Sequence, residues 1–300
     1  MNTFTSITPT TGAIGSSYSI AGTAGKVKTG AAGMLYSYNT ANVVPFSTST
    51  FLGSTPITVA ANREILDIAV APDNAARFAM TIREPGTANY GGIYHYTSGV
   101  QTAALPTGIG GSIAYGATGS RLYSLDNLTS GYGYYRYDLA ATSISQASVQ
   151  STSIQAVDAI TFNAGRTVTV GGEVLNAETG ATLGHVDPSN MGPGTAQAIL
   201  FDAANNRGFG VYYNSFFARY ELHAYTINND TNSFTWSQLG STKAFPSFTS
   251  VDNLVLAGPN RLAVTVGTQI WIMDVTPVPE PSAMMAAGVV MAFVFFRRKR

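Results

Sequence analysis

One unit recurs five times along the chain: an apolar strand, a tight polar turn, an arginine and a second strand. It reads ILDIAVAPDNAARFAM around Arg77, GSIAYGATGSRLYSL around Arg121 and VDAITFNAGRTVTV around Arg166. It returns as AILFDAANNRGFGVYY around Arg207 and VDNLVLAGPNRLAVTV around Arg261. Successive arginines are 44, 45, 41 and 54 residues apart. A period in the mid-forties with Gly, Asn and Asp turns is that of a four-stranded propeller blade, which buries its faces only by stacking on its neighbours. A third strand follows each unit, in IYHYTSG, YYRYDLA, EVLNAETG, YELHAYTINNDTNS and QIWIMDV. An earlier LYSYNTAN, with Lys26 and Lys28 upstream in the arginine's place, reads as the same third-strand element of a degenerate first blade. The expected fold is therefore an all-β propeller of about six blades, with five or seven left open. The last blade lacks a clear fourth strand after Val275, and the N-terminal TFTSIT is a candidate to supply it and close the ring.

The strand, turn, strand grammar from about Gly33 to Val275 resembles quinoprotein-like and YVTN-like propellers, although no repeated WD dipeptide is present. Composition agrees with many short strands. Tyr and Gly are plentiful, and only 11% of residues are charged against 45% hydrophobic. Four of the sixteen basic residues are the last four, so the remainder carries 12 basic against 16 acidic residues. A mildly acidic body without a basic patch cannot neutralise phosphates, which excludes nucleic acid as the expected partner. The absence of cysteine removes disulfides, thiolate metal sites and cysteine nucleophiles together.

The last residues are tripartite. Val278, Pro279, Glu280, Pro281, Ser282 and Ala283 lead into an uncharged apolar run of 14 residues, Ala283 to Phe296, followed by Arg297, Arg298, Lys299 and Arg300. As a helix the run would reach about 21 Å, short of the roughly 30 Å hydrocarbon core, so the flanking residues must help it span. The basic stop should stay cytoplasmic, which puts the body on the outer side. Pro277, Pro279 and Pro281 keep the preceding segment extended and open to a processing enzyme. This order and spacing resemble the PEP-CTERM sorting signal of exopolysaccharide-associated bacterial surface proteins. The resemblance implies recognition by an exosortase-type membrane protease, cleavage near the PEP element, and release or attachment in the outer envelope. An ordinary C-terminal membrane anchor is the alternative. The expected division is an extracellular propeller domain over 1–276 and a sorting signal over 277–300. Residues 1–16 have neither the basic nor the apolar region of a secretory leader, and a preceding N-terminal stretch is expected.

The turn arginines could ring a pore with cations, but long cations at such turns ordinarily pair with carbonyls or a nearby acid. Asp67, Asp158 and Asp252 recur at matching places in three units, so a structural role is expected. Tyr36 with Tyr38, Tyr94 with Tyr96, and Tyr135 with Tyr137 share faces of strands read as equivalent, a sugar platform or, more simply, packing between sheets. The better ligand candidates are loop aromatics: Tyr132 and Tyr134 in SGYGYY, and Tyr212, Tyr213, Phe216 and Phe217 in VYYNSFFARY. His95, His185 and His223 are scattered without metal-ligand spacing, and NNDTN over 228–232 lacks the alternating acids of a calcium loop, so neither metal nor cofactor is expected. No GxSxG, phosphate loop or dinucleotide fingerprint occurs. The expected function is non-catalytic binding of exopolysaccharide or another envelope component at the cell surface or in the matrix. Two alternatives stand beside it. A propeller glycan lyase or hydrolase would use acids such as Glu173, Glu178 or Glu221. A structural or assembly module would need no small ligand.

Overall fold

A computed structural model describes residues 2–7, 14–20, 26–30, 34–47, 50, 52–129, 133–151, 159–186, 196–214, 216–228, 230–245, 251–256, 260–266 and 269–275. The sorting segment and its apolar run lie outside them. Among the described residues no helix is long and apolar enough to cross a membrane.

Six antiparallel sheets form the blades. Blade 1 holds β3 (Lys26–Thr29), β4 (Met34–Tyr38) and β5 (Asn42–Ser47), with β6 (Leu52–Gly53) and β7 (Ile57–Thr58) sharing its outer edge. Blade 2 is β8 (Glu64–Val70), β9 (Arg77–Arg83), β10 (Tyr90–Thr97) and β11 (Val100–Leu105). Blade 3 is β12 (Ser112–Tyr115), β13 (Arg121–Leu125), β14 (Gly133–Leu139) and β15 (Ile144–Ser151). Blade 4 is β16 (Ile160–Asn163), β17 (Arg166–Thr169), β18 (Glu173–Asn176) and β19 (Thr182–His185). Blade 5 is β20 (Ala196–Asp202), β21 (Arg207–Asn214), β22 (Arg219–Ile227) and β23 (Trp236–Ala244). Blade 6 is β24 (Val251–Leu256), β25 (Arg261–Val266) and β26 (Gln269–Asp274). The first strands lie side by side in sequence order, β3 against β8, then β12, β16, β20 and β24, so they form the inner wall of the ring.

Blades 2 to 5 are apolar on both faces because each is covered on both sides. The five buried clusters follow this rule. Tyr36, Tyr38 and Val43 of blade 1 meet Ile68, Phe78 and Met80 of blade 2, and four further clusters seal the remaining successive pairs up to blades 5 and 6. Tight hairpins set the strand register. Ala164 and Gly165 (φ 48° and 79°) join β16 to β17, and Ser98 and Gly99 (φ 52° and 80°) join β10 to β11. Both are two-residue turns with positive φ, whose twist matches that of the paired strands.

Two expectations are corrected. LYSY is β4, the second strand of its blade, because KVKT forms a first strand, β3, that pairs with it (Lys26↔Tyr38). Lys26 and Lys28 thus lie on the inner strand and not at an arginine position, and Tyr36 and Tyr38 are not equivalent to the tyrosine pairs on the third strands β10 and β14. The N-terminal strand β1 (Asn2–Ile7) pairs with β2 (Ile14–Ile20) as a separate two-stranded sheet and not with β26. A local hairpin closes over a short loop, whereas pairing with blade 6 would require closure across the whole chain.

Candidate functional site

The arginines open the second strands of blades 2 to 6, and those of blades 2 to 5 fasten blade to blade. Arg121 pairs with Asp138 and has its Nε 3.9 Å from Glu178 Oε1. Arg166 Nη1 donates to the Asn228 carbonyl at 2.7 Å, and Arg207 Nη1 donates to the Val275 carbonyl at 2.9 Å. In each case the arginine reaches the end of the third strand of the following blade. Arg77 acts through Asp73, 2.5 Å away, whose other oxygen accepts from the Gly119 N–H of blade 3 at 3.1 Å. These cations sit at one rim, in turns, and not around a pore.

A second fastening runs along the inner wall. Buried Asp67 on β8 accepts from Tyr38 Oη (2.8 Å), Ser112 Oγ (3.1 Å) and the Ile113 N–H (3.1 Å), with Lys28 Nζ at 3.1 Å. Ser112 Oγ in turn accepts from the Ile160 N–H at 2.9 Å, so one polar relay joins blades 1 to 4. Asp158 and the side chain of Asp252 lie outside the described residues.

The loop aromatics divide. Tyr132 is outside the described residues. Tyr134 is 2% exposed, donates to the Ala177 carbonyl at 2.9 Å and packs between blades 3 and 4. Tyr212 is 1% exposed, its ring folded across Gly210, where a Cβ would lie 2.5 Å from Cε2. Both belong to the core, which corrects their assignment as ligand contacts. Tyr213 is half-buried against Tyr220, with ring centroids 5.2 Å apart. Among the described candidates only Phe216 (87% exposed) and Phe217 (56%) face solvent openly. Asn214 Oδ1 accepts from both of their N–H groups, at 3.1 and 3.2 Å, and holds the turn in shape. The two rings meet edge to face at 4.9 Å and 89°, and the Arg219 guanidinium lies 4.7 Å from the Phe217 centroid. Arg219 Nε also donates to Glu221 Oε1 at 2.7 Å.

Sequence reasoning missed a cleft of about 580 Å³ between blades 1 and 2. Its walls are Met34, Tyr36, Pro45, Ile57, Phe78 and Val100, and Ser54, Thr55 and Ser98 lie along it. It opens where the outer edge of blade 1 is broken. β6 pairs with Phe46 and Ser47, and β7 pairs with Asn42 and Val43, which leaves Val44 and Pro45 outside both ladders, with the Ser54 N–H donating to the Pro45 carbonyl at 2.8 Å. The available signal was Pro56 in LGSTPITV, since proline interrupts a strand. Among the described residues no carboxylate, imidazole or cation lines this cleft.

The histidines are structural in their contacts. His95 Nδ1 lies 2.8 Å from Thr102 Oγ1, and His185 Nε2 lies 2.9 Å from the Gly171 carbonyl. His223 Nε2 is 3.6 Å from Glu221 Oε2, and both side chains are buried. Burial holds the His223 imidazole below its ordinary pKa despite the carboxylate beside it. For Glu221 burial acts upward, but hydrogen bonds from Arg219 and Asn214 and the neighbouring charges outweigh it and keep the pKa low. Glu178 is held by Arg136 Nη1 at 2.8 Å. Among the described residues no group of three or more His, Asp and Glu is placed to hold a metal ion.

The solved structures similar to this chain share its fold at low identity. One is described as a mitotic checkpoint complex, at 14% identity and TM-score 0.65, with 91% of this chain and 84% of that chain covered. Another is the Myceliophteria thermophila Cps50 (Swd1) β-propeller domain, at 10% identity and TM-score 0.61, with coverage of 87% and 89%. A third is Kuenenia stuttgartiensis hydrazine synthase, at 10% identity and TM-score 0.57, with coverage of 81% and 74%. Likeness at these identities shows the fold alone. No curated protein matches the chain in sequence. Residues 277–300 match the PEP-CTERM protein-sorting motif, which marks a protein exported and sorted through its C-terminal signal and processed by an exosortase, a membrane protein. The chain is a six-bladed β-propeller that carries a PEP-CTERM protein-sorting motif at residues 277–300.

Proposed function

We propose that the propeller works at the cell surface or in the extracellular matrix as a non-catalytic binding module for an envelope polysaccharide, held in the cleft between blades 1 and 2. The observation that carries this reading is the chemistry of the lining. Apolar walls built from Met34, Pro45, Ile57 and Val100 suit the C–H faces of a sugar, and the hydroxyls of Ser54, Thr55 and Ser98 suit its hydroxyl groups. General acid or nucleophilic chemistry on a glycosidic bond ordinarily needs a pair of carboxylates, and the described lining of the cleft supplies none. The sorting motif supports delivery of the body to the envelope, where such polymers are met.

The test is retention of the full chain on polysaccharide prepared from its host's envelope, beside a Val100→Trp variant that fills the cleft from its open side. Val100 is 66% exposed, so the variant should keep the wild-type melting transition. Retention weakened at least tenfold in Val100→Trp is the expected result. Equal retention of both proteins, or of neither, sinks the reading, and release of shortened glycan would replace it with a catalytic one.

A further inference from the structure

We infer that the Phe216–Phe217 hairpin is a lipid-inserting tip, carried on the face of the propeller opposite the rim where the chain leaves blade 6 at Val275. Topology sets the two faces apart. Val275, the last described residue before the tail, sits at the arginine rim because its carbonyl accepts from Arg207. The β21–β22 ladder runs from Arg207↔Thr226 at that rim to Asn214↔Arg219 at its far end. Seven steps of strand separate them, roughly 23 Å.

The strand that carries the tip is also longer than its counterparts in the neighbouring blades. Counted from the arginine that opens each second strand, β21 runs eight residues, β17 of blade 4 runs four and β25 of blade 6 runs six. At about 3.3 Å per residue β21 runs roughly 13 Å further from its arginine than β17 and roughly 7 Å further than β25. Two phenyl rings crown the hairpin, and the half-buried Tyr213–Tyr220 pair lies beneath them, one rung below the closing Asn214↔Arg219 pair. Apolar rings at the end with phenolic rings one row behind match the depth order of a bilayer surface, where tyrosine sits at headgroup level.

Other occupants fit less well. A sugar platform needs an open, flat ring face, but these rings stand at 89° and Arg219 covers one face of Phe217. A stable protein partner buries about 800 Å² per side, whereas two such rings offer roughly 300 Å². Arg219 is already engaged by Glu221, so anionic headgroups are not required and insertion should depend little on salt.

The experiment keeps the full chain. Its tail is held in phosphatidylcholine nanodiscs, fluorescently labelled phosphatidylcholine vesicles are added, and the mixture is floated on a density gradient. Wild-type protein should float with the vesicles at low and high salt, and Phe216→Ser/Phe217→Ser should lower the floated fraction at least tenfold without changing the melting transition. Phe216→Trp should float like wild type. Because the chain has no cysteine, Phe216→Cys can carry a single polarity-sensitive label, whose emission should shift to the blue on contact with vesicles. Flotation equal in the serine variant and wild type, flotation that needs anionic lipid and disappears with salt, or no flotation at all would overturn the inference. Loss of envelope-glycan retention in the serine variant, with vesicle binding intact, would overturn it in favour of a sugar contact. Val100→Trp should leave flotation unchanged, which keeps this result separate from the fate of the cleft.

Discussion

Arg207 Nη1 donates to the main-chain oxygen of Val275 at 2.9 Å, so the residue that opens the second strand of blade 5 holds the chain where it leaves blade 6. Its Nε is bound by Asp202 at 2.8 Å, and both side chains are almost fully buried. Removing one member of a buried pair leaves the other charge uncompensated. Arg207→Ala should therefore lower stability by about 3–5 kcal/mol in chemical denaturation, and the double change Arg207→Met/Asp202→Leu should recover part of the loss. A loss within 1 kcal/mol of wild type, on the scale of an exposed pair, would show that Arg207 does not fasten these blades.

Asp67 joins three blades through side-chain and main-chain donors. Asp67→Ala strands those donors in the inner wall, at a cost of about 1–3 kcal/mol for each one left unsatisfied. The loss should exceed that of Asp67→Asn, which retains an acceptor oxygen. Urea titrations of the two variants decide it. Equal stabilities would mean that water replaces the carboxylate.

Stability should fall in two steps as pH is lowered. Burial depresses the folded pKa of His95 and of His223, and a nearby Arg77 adds to the effect at His95. Between each folded value and the unfolded value near 6.5 the unfolded chain binds more protons, so this contribution is complete above about 6.5 and is lost as pH drops below it. For Asp202 burial acts upward, but hydrogen bonds from Asn205 and Arg207 dominate and the folded pKa is low. Glu221 shifts the same way. Their contribution is present above the unfolded values near 4 and disappears as pH falls through the folded ones. Denaturation midpoints measured from pH 8 to pH 3 should show both declines, and His95→Gln/His223→Gln should flatten only the first.

The sorting motif predicts a trimmed C-terminus. Intact-mass measurement of protein recovered from its host should place the new end near Pro279 to Pro281, with the ArgArgLysArg stop missing. Replacing Pro279, Glu280 and Pro281 together with alanine should leave the tail intact in the membrane fraction. An intact tail on the wild-type protein would instead describe a permanent anchor.

Local chemistry was readable from the chain. Each repeat places its arginine after a turn-forming stretch, and the structure starts β9, β13, β17, β21 and β25 at those five arginines. Turn residues and strand alternation act over a few positions, so a linear pattern carries them, and the same holds for the order of motif, apolar run and basic stop over 277–300. Where the unit lost its arginine the reading slipped: LYSY was matched to third strands, and only its pairing with β3 and β5 made it a second strand.

Which aromatics face solvent was decided by the tertiary structure. Tyr212 and Phe217 stand five residues apart in one tyrosine- and phenylalanine-rich stretch, yet Tyr212 is sealed because Gly210 leaves room for its ring and blade 4 covers that face, while Phe217 lies exposed in the turn beyond the end of β21. The cleft likewise depends on two short strands that leave Val44 and Pro45 outside their ladders at the edge of blade 1 and on blade 2 walling it from the other side. The sequence by itself determined the repeat, the turns and the sorting signal, because those rest on neighbours along the chain. Burial and concavity depend on blades many residues apart stacking face to face, and that was decided only in three dimensions.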